Sequence, residues 1–111
     1  MRSYFIDELN SEEMKKITNN LKKQNLKQPV DGLYWLYLPE NLYTSQQKEH
    51  LKTCGPYYFA IETGKNWLKL ELLIRAEQKI RCACISYATQ EQRDFLISFA
   101  ENLLQELNIF I

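Results

Sequence analysis

The chain predicts an α+β fold. One antiparallel β-sheet lies in a single layer, a meander of three strands plus one additional strand, packed by N- and C-terminal helices in the order α-β-α-β-β-β-α. Three observations carry this. Residues 57–87 hold three runs rich in β-branched and aromatic side chains, set between turn signals. A stretch near each end repeats apolar residues at helical spacing. Asn10, Thr44 and Thr89 are each followed three residues later by Glu or Gln, the pattern of a helix-opening capping box. A length of 111 residues fits one domain over 1–111, large enough for a core without staples.

The meander is expected as Tyr57 to Thr63, Asn66 to Arg75 and Lys79 to Tyr87. Gly64-Lys65 is read as a two-residue turn with Gly64 at positive φ, and 76–78 as a three-residue loop. That register sets Ile61 against Leu68, Phe59 against Leu70, Leu72 against Cys82 and Leu70 against Cys84. Side chains alternate across a strand. One face then carries Phe59, Ile61, Leu68, Leu70, Leu72, Ile74, Ile80, Cys82 and Cys84, and must be covered. The other carries Tyr58, Ala60, Glu62, Trp67, Lys69, Glu71, Leu73, Arg81, Ala83, Ile85 and Tyr87.

The first helix is expected over about 11–25, with Leu9 stapled onto Met14 and a thin stripe of Met14, Ile17 and Leu21. Its lysines read as a solvated face. Gln28 to Gly32 breaks it. Leu33 to Leu38 reads as the additional strand, apolar on both sides, with the edge it joins left open. A short helix follows Thr44 to about Thr53, and Gly55 stands where a left-handed cap belongs. The last helix, from Gln90 to about Leu107, carries Leu96, Phe99, Ala100, Leu103 and Leu107 and is expected to cover the apolar sheet face. The apolar tail Ile109-Phe110-Ile111 is expected to pack back or to meet another subunit.

Composition excludes several classes. A net charge of zero argues against a nucleic-acid backbone binder, which needs a positive field. No run approaches the ~18 apolar residues of a membrane span. The opening MRSYFIDELN has no signal-peptide pattern, and three cysteines form no even framework. Reduced thiols in a cytoplasm are the expectation. Three glycines and no Gly-rich loop before a helix leave no nucleotide signature and no cofactor expectation.

Two constellations could carry function. The first is the mixed sheet face. Tyr58, Glu62, Trp67, Lys69, Glu71 and Tyr87 place aromatic rings beside opposed charges, a composition favoured at interfaces. It can equally be a charge ladder under aromatic cover. The leading reading is therefore a non-enzymatic protein-binding or adaptor domain that uses this face or the aromatic run at Trp35, with a protein partner or self-association. The alternative is a small zinc or ligand site. His50 and Cys54 stand four apart on one helical face, and Cys82 and Cys84 two apart on one strand face, a Cys3His set. Against it, free cysteine between leucines behaves as a small hydrophobe. No Cys-x2-4-Cys knuckle is present. A Cys/His catalytic pair lacks anything in the sequence to bring His50 to a thiol, and no catalytic residue is assigned.

Overall fold

A computed structural model describes residues 1–110. Its elements are β1 (Ser3–Ile6), α1 (Ser11–Lys23), β2 (Leu33–Tyr37), a 3-10 turn (Glu40–Leu42), α2 (Ser45–Glu49), β3 (Tyr57–Thr63), β4 (Leu68–Ala76), β5 (Ser86–Tyr87) and α3 (Gln90–Glu106). The expected α-β-α-β-β-β-α order is present, with the unexpected strand β1 ahead of it. The sheet is antiparallel in the order β1-β4-β3-β2, with β5 also on β4. β2 thus takes the edge beyond β3.

All three capping boxes form. The Asn10, Thr44 and Thr89 side chains accept from the backbone N–H of Glu13, Gln47 and Gln92, whose side chains accept in return. Each box satisfies two of the donors that a helix start leaves orphaned. The helices end earlier than the pattern suggests. α1 stops at Lys23, and α2 stops at Glu49 before a run of turns.

Strand parity survives although the register does not. The β3–β4 connection spans four residues, and the Gly64 N–H donates to the Trp67 carbonyl at 3.0 Å. Thr63 therefore faces Leu68 and Ile61 faces Leu70. A shift by two residues keeps every side chain on its predicted face. A bulge follows, and Phe59 faces Ile74. Gly64 has no left-handed backbone. It is small because a Cβ there would lie 2.1 Å from the Trp67 ring. Gly55, likewise not left-handed, joins Pro56 through a cis peptide bond, so the expected helix cap is absent.

The inner face holds Tyr57, Phe59, Ile61, Leu70 and Ile74, all essentially inaccessible, together with Tyr34 and Leu36 of β2. Ile17 and Leu21 of α1 and Leu96, Ala100 and Leu103 of α3 join them in one apolar cluster. Both long helices thus pack on the same side. Of the tail, Ile109 is buried and Phe110 is exposed, while Ile111 lies outside the described residues.

The third strand of the meander is the main departure. Of the stretch 79–87 only Ser86 and Tyr87 pair, against Ile74 and Leu73. β1 occupies the rest of that edge through Ser3–Ile6 against Leu68–Glu71. Residues 77–85 leave the sheet as a loop. Ile80, expected in the core, is 92% exposed, Cys82 is half-buried, and Cys84 alone of the three is buried.

Candidate metal centre

The loop brings together what the sequence kept apart. His50 caps the C-terminus of α2. The backbone continues in turns: the N–H groups of Thr53 and Cys54 both donate to the His50 carbonyl, at 3.1 and 2.8 Å. This keeps His50 and Cys54 on one side, as i,i+4 spacing requires. On the other segment, the Ile85 N–H donates to the Cys82 carbonyl at 3.0 Å and closes a tight turn around Cys82-Ala83-Cys84. Two further bonds dock the segments. The Glu77 N–H donates to Pro56 O and the Gln78 N–H to Cys54 O, each at 2.9 Å. The Gln78 side-chain amide adds a bond to the Gly55 carbonyl.

One ligand atom from each of His50, Cys54, Cys82 and Cys84 lies within 4.8 Å of all the others. His50 Nδ1 is 3.1 Å from Cys82 Sγ, and Cys54 Sγ is 3.4 Å from it. No disulfide joins them. Cys82 is the hub, and its chemistry follows from its donors. The Cys84 backbone N–H faces the Cys82 sulfur from two residues on in the same turn. With that donor first, then the Cys84 thiol, and Cys54 and His50 after it, the Cys82 thiol is pulled down to about 6. Donors to a thiolate stabilise its charged form. Cys84 moves the opposite way, up to about 12, chiefly because it is buried and then because its proton serves Cys82.

Beneath the thiols lies Tyr57 at the start of β3, fully buried. Its hydroxyl donates to the Gln47 carbonyl at 2.8 Å and also faces Cys84. Burial, first, and then the neighbouring thiols push its phenol well above the ordinary range, so it stays a proton donor. Gln47 and Gln92 continue the network. The Gln92 amide nitrogen donates to Leu42 O at 2.8 Å and to Gln47 Oε1 at 3.0 Å. Gln47 Oε1 also accepts from the Thr44 N–H, which leaves the buried Gln47 Nε2 without a partner. No motif flagged Tyr57. Its signal was a polar tip at an inward strand position.

The six residues assigned to the mixed sheet face do share it. Tyr58 stacks on Trp35 at 3.9 Å and is itself buried, so it supports this face rather than opening onto solvent. Glu62 pairs with Lys69 at 3.2 Å across β3 and β4, and the Lys69 ammonium sits 6.0 Å from the Trp67 ring. Glu71 pairs with Arg75 at 3.1 Å. Tyr87 lies opposite Leu73 with the Arg2 guanidinium 4.4 Å from its ring. Sequence reasoning missed Phe5, which together with Trp35 completes this face beside Tyr58 and Trp67. Arg81, Ala83 and Ile85, expected here, belong to the loop instead. No helix among the described residues is long and apolar enough to cross a membrane. No protein-family model, no curated protein and no solved structure matches this chain.

Proposed function

We propose that the chain is a small zinc-binding domain, with His50, Cys54, Cys82 and Cys84 as the four ligands of a structural ion. The observation that carries this is the gathering of four ligand atoms, from two distant segments, within 4.8 Å of one another. Zinc favours a tetrahedral set of thiolates and imidazole at about 2.3 Å from sulfur and about 2.0 Å from nitrogen. Neighbouring sulfurs in such a site stand about 3.8 Å apart by simple tetrahedral geometry. The separations of 3.4 and 3.1 Å around Cys82 differ from this arrangement by less than an ångström. Four protein ligands leave no open position for water, which favours a structural role over a catalytic one. The ion would tie the 50–54 turn to the 82–84 turn. Metal analysis of protein purified without chelator tests the reading: one zinc per chain is expected, and a chain that stays substoichiometric after zinc reloading rejects it. The thiol set suits a reducing compartment, and we place the protein in the cytoplasm.

A second reading is compatible with the first. The sheet face around Trp35, Tyr58 and Trp67 would bind a protein partner or a second copy. It rests on two exposed rings at the opposite edges of this face, Phe5 (50%) on β1 against Trp67 and Tyr37 (43%) on β2 against Tyr58. Light scattering during size exclusion checks the second-copy form, which a strict monomer at millimolar protein excludes.

A further inference from the structure

We propose that Cys54 and Cys82 form a reversible oxidation site, at which a peroxide converts the two thiols into a disulfide and opens the metal centre. The opening of the centre rests on the zinc reading; the pairing of the two sulfurs does not.

The three thiols differ in access and in neighbours. Cys54 and Cys84 are 2% and 1% exposed, whereas Cys82 is half-buried on a loop whose preceding residues, Lys79, Ile80 and Arg81, are open to solvent. A small oxidant therefore meets Cys82 first. The sulfur that answers it is Cys54, 3.4 Å away. A disulfide needs about 2.05 Å, so the sulfurs must close by about 1.4 Å. The loop and the 50–54 turn are separate segments that can approach each other. Cys84 is the poorer partner. It lies two residues along in the same tight turn, and its thiol, although it also faces the Cys82 sulfur, is buried against Tyr57.

The chemistry balances with hydrogen peroxide as oxidant. The Cys82 sulfur attacks one peroxide oxygen, the O–O bond breaks, and hydroxide leaves and is protonated to water. Cys82 becomes a sulfenic acid. The Cys54 sulfur then attacks the Cys82 sulfur. The S–O bond breaks, the S–S bond forms, and a second water leaves. Two sulfurs are oxidised by two electrons in total, and one peroxide is reduced to two waters. His50 and Cys84 alone remain for the ion, half of the closed set. A dithiol reverses the step by thiol–disulfide exchange.

The test starts from metal-loaded protein with its zinc content measured beforehand. It is treated with hydrogen peroxide in the presence of a chromogenic zinc chelator, then mapped by mass spectrometry without reduction. The expected result is a Cys54–Cys82 cross-link, one zinc released per cross-link, and recovery of both thiols and zinc binding after a dithiol. Cys84→Ser should leave the cross-link in place, and Cys54→Ser should remove it and leave Cys82 over-oxidised. Because either variant could misfold, the map of the unsubstituted chain decides. A Cys82–Cys84 link, irreversible sulfinic acid at Cys82 with no link, or zinc retained after the link forms would each overturn the proposal. A chain with no zinc before peroxide is added overturns the metal reading instead, and mapping the same sample then tests the sulfur pair alone.

Discussion

His50 Nδ1 lies 3.1 Å from the sulfur of Cys82, although the two residues are thirty-two positions apart. Neither belongs to a regular element: one caps a short helix and the other stands in a loop. What joins them is backbone. The bonds from Gln78 and Glu77 to Cys54 and Pro56 bring the loop home before any metal is considered. A site held by main-chain hydrogen bonds is partly preorganised, and an ion entering it has less ordering entropy to overcome.

Metal removal should destabilise the domain. With free zinc a thousand times above Kd, binding to the folded state alone adds about 4 kcal/mol. For a chain of this size that corresponds to roughly 15–25 °C in midpoint. A chelator should lower the thermal midpoint by that order, and re-addition of zinc should restore it. Alanine at Cys54, Cys82 or Cys84 should abolish the zinc-dependent part of the shift. Differential scanning calorimetry with and without chelator reads both effects. A midpoint indifferent to zinc counts against a structural ion.

The thiols also set a pH dependence in the metal-free protein. Cys82 falls from an ordinary value of 9.0 to about 6 in the folded state, so the folded chain releases this proton earlier. Its contribution to stability is fully present above the unfolded value and is lost as pH falls through about 6. Cys84, raised to about 12, works in the opposite sense. Its contribution is present below 9.0 and lost as pH rises toward 12. Stability of chelated protein should therefore climb between about 6 and 9 and decline above it, as urea unfolding at a series of pH values would report. Alkylation should label Cys82 first, with a rate rising through a midpoint near 6, and bound zinc should suppress it.

The sheet was legible because a period of two is insensitive to a register error of two. Phe59, Ile61, Leu70 and Ile74 turned inward as the alternation required, even though both turn assignments missed the true pairing. Capping boxes were legible because they are local: each needs one side chain and a residue three positions on. The third strand was not. Lys79 to Cys84 has strand-like composition, but β-propensity records fit to a half-buried surface rather than an intrinsic preference. Ser3–Ile6 took the surface first. The same competition hid the metal site. Once Cys82 and Cys84 were assigned to a strand in the core, their distance from His50 followed from the wrong element. The two halves of the ligand set were visible in the spacing, and only the tertiary docking of 77–78 onto 54–56 could join them.

Gly64→Ala should destabilise the hairpin. A methyl group there would come within 2.1–2.5 Å of three atoms of the Trp67 indole. The ring must swing away from Gly64, and it carries with it the contact with Phe5 at 5.6 Å. Overpacking of this kind costs about 1–3 kcal/mol. Because Trp67 itself reports, its fluorescence should shift together with the unfolding midpoint. An unchanged spectrum at unchanged stability would mean that the ring does not stand against Gly64.

Tyr57→Phe separates packing from polarity beneath the metal centre. The ring is retained, with its edge-to-face contact on Tyr43 at 4.9 Å, so no cavity opens. What is lost is one hydroxyl and its 2.8 Å bond to the Gln47 carbonyl. A buried acceptor left unpaired costs about 1–3 kcal/mol, and Gln47 already carries one unpartnered amide nitrogen, so little slack remains in this network. The hydroxyl also faces Cys84; when that sulfur ionises, the same proton turns from the Gln47 carbonyl to it and favours the thiolate over the thiol. Removing it should therefore push the Cys84 thiol still higher and weaken zinc binding, which requires a thiolate, most at low pH. Two readouts distinguish the roles. Urea unfolding of chelated protein gives the loss from the Gln47 bond alone. Competition with a metal indicator across pH gives the loss through Cys84, expected to grow as pH falls. A variant with reduced stability but unaltered zinc affinity at every pH would confine Tyr57 to the Gln47 bond and remove it from the metal centre.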